Sequence, residues 1–462
     1  MRVWTNSLDN NPAAQWGVAN GMNRFTRFWL NLKAGLWFLP VLMVGVFLGL
    51  AFGLVQLDQN ISHGWERNFP LLFGAGAEAA RSMLAALASS MITVAALIFT
   101  LTLTTLAQVS SQYSPRVVWT FMRDHSNQAV LGSFVGIFAY CLVVLRTIRG
   151  TGKEGFVPSL AIAFALFLAL LSIGVLIFFI HHIASSIEAS NIVQRVMQDT
   201  REAMRQLFPT ETGEDADDAE ARRLEEDAPE RQWHTIPALV TGYLQSVDDK
   251  MLLRAARDYR CVVRMELALG SFVAEGSPLV SVAFEEQGQG PSPRVERQLH
   301  QAYVIGNQRT IEQDAGFGLR QIVDIALKAL SPGVNDTSTA IICIDHLGAL
   351  LAYVGGRQFG NRLRSESAED RVLLIARHPV YADYVTTAFD QIRRSGAANV
   401  AVLLRLLTAL ETVVKRTPAP GRRRVLRQQC ELIGTTAESK LEEAYEREQV
   451  RRRMADLLPL FA

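Results

Sequence analysis

Polar side chains nearly vanish from four long stretches in the first two-fifths of this chain and then return for good. The stretches cover residues 34–57, 83–107, 128–148 and 158–183, with no charge at their centres. Each reaches the roughly 20 apolar residues with which a helix crosses about 30 Å of hydrocarbon. The first reads LWFLPVLMVGVFLGLAFGLVQL from Leu36 to Leu57, and the last reads SLAIAFALFLALLSIGVLIFFI from Ser159 to Ile180. The pattern predicts an α-helical transmembrane bundle of about four helices over 34–183, behind an N-terminal cytoplasmic segment, 1–33. No small-residue cleavage pattern follows the first run, so it is read as a retained span and not a signal peptide.

Three features of these runs go beyond hydrophobicity. Gly45, Gly49 and Gly53 recur every four residues, and Gly132 and Gly136 repeat the spacing once. Such small-residue stripes let another backbone approach closely, either inside one bundle or between subunits. In the second run Thr93, Thr100, Thr104, Gln108 and Ser111 fall within an arc of about 80° at 100° per residue. Their hydroxyls can bond to the preceding turn and pack helices together, or line a water-filled path if several copies surround an axis. No ionisable residue sits mid-run, which argues against a proton-coupled carrier. Beyond Pro115, Arg116, Trp119 and Arg123 form a candidate interfacial anchor, with an aromatic ring at headgroup depth and cations on phosphates. His181 and His182 close the fourth run; adjacent residues point to different helix faces, so an interfacial pair is expected in place of a metal site.

After the fourth run the helical pattern continues to Pro209, which predicts a stalk over 184–209. An acid-rich linker follows at 210–233, including ETGEDADDAEARRLEEDAPER. Alternating apolar and polar residues around Gly270 and Gly276 predict a small β-rich module at 234–290. Within it LGSFVAEGSPLVSV resembles the half-repeat of biotinyl or lipoyl carrier folds. No lysine stands at a hairpin tip, so the shape is expected and the cofactor is not. Residues 291–462 read as a mainly helical cytoplasmic domain, giving a mixed α+β soluble part. The basic triplets Arg422–Arg424 and Arg451–Arg453 are expected on solvated helix faces.

The densest polar run is RTIEQDAGFGLRQIVDIALKALSPGVNDTSTAIICIDHLGALL, Arg309 to Leu351. Ile322, Ile325, Ala326 and Ala329 form an apolar helix face, Pro332 and Gly333 stop that helix, and Asn335 or Asp336 can cap the next. Two readings compete. In one, Arg309, Asp314, Arg320, Gln321, Asp324, Asn335, Asp336, Asp345 and His346 gather into a pocket for a small ligand or ion. In the other they are caps and surface ion pairs.

Charge narrows the classes. The 46 basic and 45 acidic side chains are intermixed, so no single-sign field draws in nucleic acid. Cys141, Cys261, Cys343 and Cys430 have no metal-ligand spacing and fit free thiols in a reducing compartment. That preference, with Arg24, Arg27, Lys33, Arg116, Arg123, Arg195 and Arg201 set against Arg67, Arg81, Arg146, Arg149 and Lys153, favours cytoplasmic termini. No nucleophile elbow, phosphate-binding loop, zinc helix or kinase signature occurs, so neither an enzyme nor a cofactor is expected.

The segments MITVAALIFTLTLTTLAQVSSQYSPRVVWTFMRDHSNQAVLGSFVGIFAYCLVVLRTIR, FVPSLAIAFALFLALLSIGVLIFFIHHIASSIEASNIVQRV and FGLRQIVDIALKALSPGVNDTSTAIICIDHLG resemble the bacterial predicted-membrane-protein family called domain of unknown function 2254. The resemblance extends over nearly the whole chain and implies a bacterial inner-membrane location. It also implies importance for the stretches Ser110 to Arg123 and Arg320 to Ala340, and it supplies no activity. The leading expectation is an oligomeric channel or transport protein, a homo-oligomer in the lipid bilayer with a soluble gating or filter domain. The alternative is a membrane-anchored sensor or scaffold whose soluble domain binds a small ligand or a protein partner.

Overall fold

The computed structural model of the protein describes residues 38–60, 77–112, 124–149, 156–186, 188–208, 232–284, 290–359, 363–364 and 374–461, with backbone only at 109–112 and 363–364. The chain divides into two compact units, the first ending at Asn191 and the second beginning at Ile192.

The first unit holds α1 (Phe38–Asn60), α2 (Ala77–Gln112), α3 (His125–Thr147) and α4 (Ser159–Ser186). The other three helices all pack on α3, whose Phe134, Ile137, Tyr140, Cys141 and Val144 are buried. Polar groups fasten the helix ends. Asp58 accepts from the Leu160 and Ala161 amides at the start of α4 (3.2 and 3.1 Å), and Arg81 donates to the Ile148 carbonyl just past α3 (2.8 Å). At the opposite end of α3, Asp124 caps the helix through the Ser126 amide and meets His182 at 2.7 Å. Much of the outside of the bundle is apolar: Val41, Phe52, Leu97, Phe167, Leu170 and Ile177 are each more than half exposed. Each such side chain left half in water forgoes about 1 kcal/mol of transfer free energy, so this surface suits lipid.

By length and composition alone, five described helices could cross a bilayer. The fifth, α9 (Thr337–Gly355), adds to the four that the apolar runs predict. Unlike those four it is more than half buried inside its own unit, and Ala409 stands where a side chain on its Gly348 would go.

The second unit opens with α5 (Ala189–Leu207), whose first three residues precede the boundary. Two sheets follow. The five-stranded one has the order β1-β5-β3-β8-β7, from β1 (His234–Pro237), β3 (Cys261–Met265), β5 (Pro278–Phe284), β7 (Leu363–Arg364) and β8 (Leu374–Ile375). The three-stranded one is β4-β2-β6, from β2 (Gly242–Val247), β4 (Phe272–Val273) and β6 (Tyr303–Gly306). All pairings are antiparallel except β3 with β8, where Val263 meets Leu374. Gly276, at φ +80°, sits where the chain leaves β4 in one sheet and enters β5 in the other. The helices α6 (Asp249–Asp258) and α7 (Pro293–Gln301) add Leu252 and Leu299 to the sheet core.

The rest is helical: α8 (Ala315–Ala329), α9, α10 (Tyr381–Ser395), α11 (Val400–Val414), α12 (Pro420–Lys440), α13 (Ala444–Leu457) and a 3-10 turn. The α8–α9 hairpin forms where the apolar periodicity and the Pro332–Gly333 stop place it. Two expectations change. The helix after the fourth run does not continue unbroken: Glu188 is outside any helix, between α4, which ends at Ser186, and α5, whose Val193, Val196, Thr200 and Met204 are buried. The β-rich part also extends past residue 290, because β6, β7 and β8 come from the stretch read as helical.

Candidate functional site

The hydroxyl stripe of α2 lies on the outside of the first unit. Thr93, Thr100 and Thr104 are exposed, and each donates to the carbonyl four residues earlier: Ser89, Ala96 and Thr100, at 2.7, 2.9 and 2.9 Å. Gln108 is exposed on the same helix, and the Ser111 side chain lies outside the described residues. With the proton spent on its own helix, each threonine oxygen has only lone pairs to offer outward. No ionisable side chain occurs between Arg81 and Gln108.

The two glycine motifs part company. Gly132 faces Pro40 and Met43 of α1, and Gly136 faces the Phe47 ring, so these two glycines let α1 close onto α3. A side chain at Gly45, Gly49 or Gly53 would meet nothing within 4 Å. Among the described residues that stripe has no neighbour. Arg116, Trp119 and Arg123, the expected interfacial anchor, lie outside the described residues.

The polar residues of Arg309 to Leu351 are distributed among separate jobs. Asp314 is 5% exposed; it caps α8 through the Phe317 amide (2.9 Å) and takes Arg309 on its other oxygen at 2.6 Å. Burial raises its pKa, and the Arg309 charge opposes the rise. Arg320 and Asp324 pair along α8 at 2.9 Å. Asn335 takes the left-handed backbone, φ +49°, that ends the hairpin turn. Asp336 caps α9 through the Thr339 amide (3.0 Å) and hydroxyl (2.5 Å), the latter first in holding its carboxyl below the ordinary range. Asp345 pairs with Arg405 of α11. Gln321 lies within α8 and His346 within α9, and the Gln321 oxygen is buried without a hydrogen-bond partner. Among the described residues no three His, Cys, Asp or Glu side chains stand close enough to share a metal ion.

A cluster that the sequence reading did not single out lies at the C-terminal end of α9. Arg422, placed with its neighbours on a solvated face by the triplet pattern, is 3% exposed. It donates to the carbonyls of Gly355 (2.9 Å) and Arg357 (2.8 Å) and lies over the rings of Phe359 and Tyr381. Arg357 lies over Tyr353 and donates to the Phe208 carbonyl at 2.6 Å. Two cations thus serve helix C-termini, where orphan carbonyls and the helix dipole favour them. No local signal marked Arg422: the rings it lies over, Phe359 and Tyr381, are far from it in sequence.

The chain is 33% identical over 428 residues to an uncharacterised protein of Mycobacterium bovis, covering 91% of this chain and 79% of the relative. An uncharacterised protein of Mycobacterium tuberculosis matches to the same extent. No solved structure matches. The family described as predicted membrane protein, domain of unknown function 2254, matches residues 33–412. With apolar helices on one side of residue 191 and a capped helical hairpin on the other, the chain belongs to this family of predicted membrane proteins.

Proposed function

We propose that the protein is an oligomeric channel or transport protein of the bacterial inner membrane. In this reading α1 to α4 are the four spans, α9 is a core helix of a cytoplasmic domain, and both termini are cytoplasmic. The observation that carries it is the outward-facing hydroxyl stripe of α2. Thr93, Thr100 and Thr104 put a line of oxygen lone pairs on the outside of a bundle whose remaining surface suits lipid. Copies arranged with α2 toward a common axis turn that line into the wall of a polar path with no fixed charge, a weakly selective lining. The open Gly45, Gly49 and Gly53 stripe supports the same reading, since it leaves room for a neighbouring backbone. The second unit then acts as the gate or filter at the cytoplasmic mouth.

The test is Thr100→Cys and Thr104→Cys in protein reconstituted into nanodiscs and liposomes. Several copies per disc, modification of the new thiols by a water-borne reagent, and loss of ion or solute flux on modification are expected. A single copy per disc with thiols that the reagent cannot reach refutes the channel.

A further inference from the structure

The geometry points to a binding site for the phosphate of an anionic phospholipid at the end of the bundle where α2 begins and α3 ends, built on Arg81, Arg146 and Arg149. The inference rests on the reading of α1 to α4 as membrane spans. Residues 116–123, the expected interfacial anchor, join α2 to α3 at the other end of both helices, so this is a different place. Backbone and side chains are pinned together here. Arg81, one turn into α2, donates to the Ile148 carbonyl at 2.8 Å, and the Arg149 amide donates to the Phe156 carbonyl at 3.2 Å. The chain at 148–149 is thus held by α2 on one side and by the approach to α4 on the other. Arg149 directly follows the carbonyl that holds Arg81, and Arg146 stands in the last turn of α3 three residues before it.

All three arginines are exposed, and among the described residues neither Arg146 nor Arg149 has a hydrogen bond or an ion pair. The carboxylates at this end do not answer them. Asp58 gives its two oxygens to the Leu160 and Ala161 amides, and Glu78, also exposed, makes no ion pair among the described residues. Attraction to the helix dipole accounts for Arg146 in the last turn of α3 and not for Arg149, which lies past the C-cap. Leu142, 44% exposed, sits one turn before Arg146 on the same face of α3, so apolar surface leads straight up to the cations. An anionic phospholipid matches both halves. Its acyl chain covers the Leu142 face, and its phosphate takes the parallel N–H donors that guanidinium groups present. With both termini cytoplasmic this end faces outward, where the positive-inside bias disfavours Lys and Arg. An anion held by the three arginines accounts for their presence against that bias.

The experiment titrates the full chain in a neutral detergent with short-chain phosphatidylglycerol and reads the concentration that half-completes the rise in melting temperature. Short-chain phosphatidylcholine and inorganic phosphate, at matched ionic strength, form the other two arms. Phosphatidylglycerol is expected to act at a concentration at least about tenfold below phosphatidylcholine, whose phosphate carries its own cation, and inorganic phosphate is expected to give no rise. Combining Arg146→Gln with Arg149→Gln should raise the phosphatidylglycerol half-point by about tenfold or more, while Arg146→Lys with Arg149→Lys, which keeps both charges, should hold it within about threefold. Equal half-points for the two lipids in the unsubstituted chain overturn the site, and that comparison stands even where the glutamine pair does not fold. An unchanged half-point in the glutamine pair overturns it as well. A rise with inorganic phosphate equal to that with phosphatidylglycerol makes this a free-anion site and overturns the lipid. Failure of the span assignment is a separate result, read from release of the chain from membranes by alkaline washing.

Discussion

Replacing Arg422 by methionine should be the most damaging change within its basic triplet, and the structure gives the size. Methionine keeps much of the volume and the helix propensity, so the loss is polar. Two short bonds, to the Gly355 and Arg357 carbonyls, disappear. Each leaves a buried acceptor at the end of α9, at about 1–3 kcal/mol apiece. Loss of the cation over Phe359 and Tyr381 adds about 1 kcal/mol. The sum is roughly 3–7 kcal/mol, or a fall of about 10 °C or more in the melting temperature of a unit of this size. Trp233, the last tryptophan in the chain, lies under Arg264 at 4.3 Å and reports unfolding of the second unit by fluorescence. The control is Arg424→Met, two positions away and exposed, expected to stay within about 0.5 kcal/mol of the unsubstituted chain. Equal melting of the two variants refutes the assignment of Arg422 as the cap of α9.

Other changes test other parts. Gly136→Ala forces a methyl into the Phe47 ring and should loosen the α1–α3 contact, seen as faster proteolysis in detergent, while Gly45→Ala, with open space around it, should leave the single-chain fold intact and alter only association. Asp336→Ala removes the α9 cap and should cost about 1 kcal/mol in denaturant unfolding. Because the folded Asp336 carboxyl titrates below its ordinary value, its contribution is full above about pH 4 and drains away as the pH drops through the folded value. A stability difference between the unsubstituted chain and the Asp336→Asn variant that does not shrink as the pH falls below about 4 refutes this. Asp345 and Arg405 are about 40% exposed, so a double-mutant cycle on them should return a coupling of no more than about 1 kcal/mol.

The apolar helices were legible because each announces itself in one uninterrupted run, and the capped hairpin because Pro332, Gly333 and Asp336 act on their own neighbours. What stayed hidden depends on residues far away in sequence. Nothing near Leu374 and Ile375 marks them as a strand, since two residues carry no period and their pairing is with Val263 and Arg264. Arg422 and Arg424 share one local context, and only the carbonyls of α9 distinguish them. Gly45 and Gly136 have the same spacing signature, yet one faces open space and the other a phenylalanine ring. The polar run around Asp324 and Asp336 reads equally as a pocket or as caps until the partners are known. They are a pair along one helix, a cap on the next and an ion pair to a third.

The parallel pairing of β3 with β8 sets a schedule for synthesis. Val263 leaves the ribosome more than a hundred residues before its partner Leu374, a delay of roughly 5 to 20 s at about 5–20 residues per second. Throughout that interval the nascent sheet has an unfilled flank, the kind of backbone edge that recruits stray chains. Slowing translation between these two strands should therefore raise aggregation or chaperone capture of this protein.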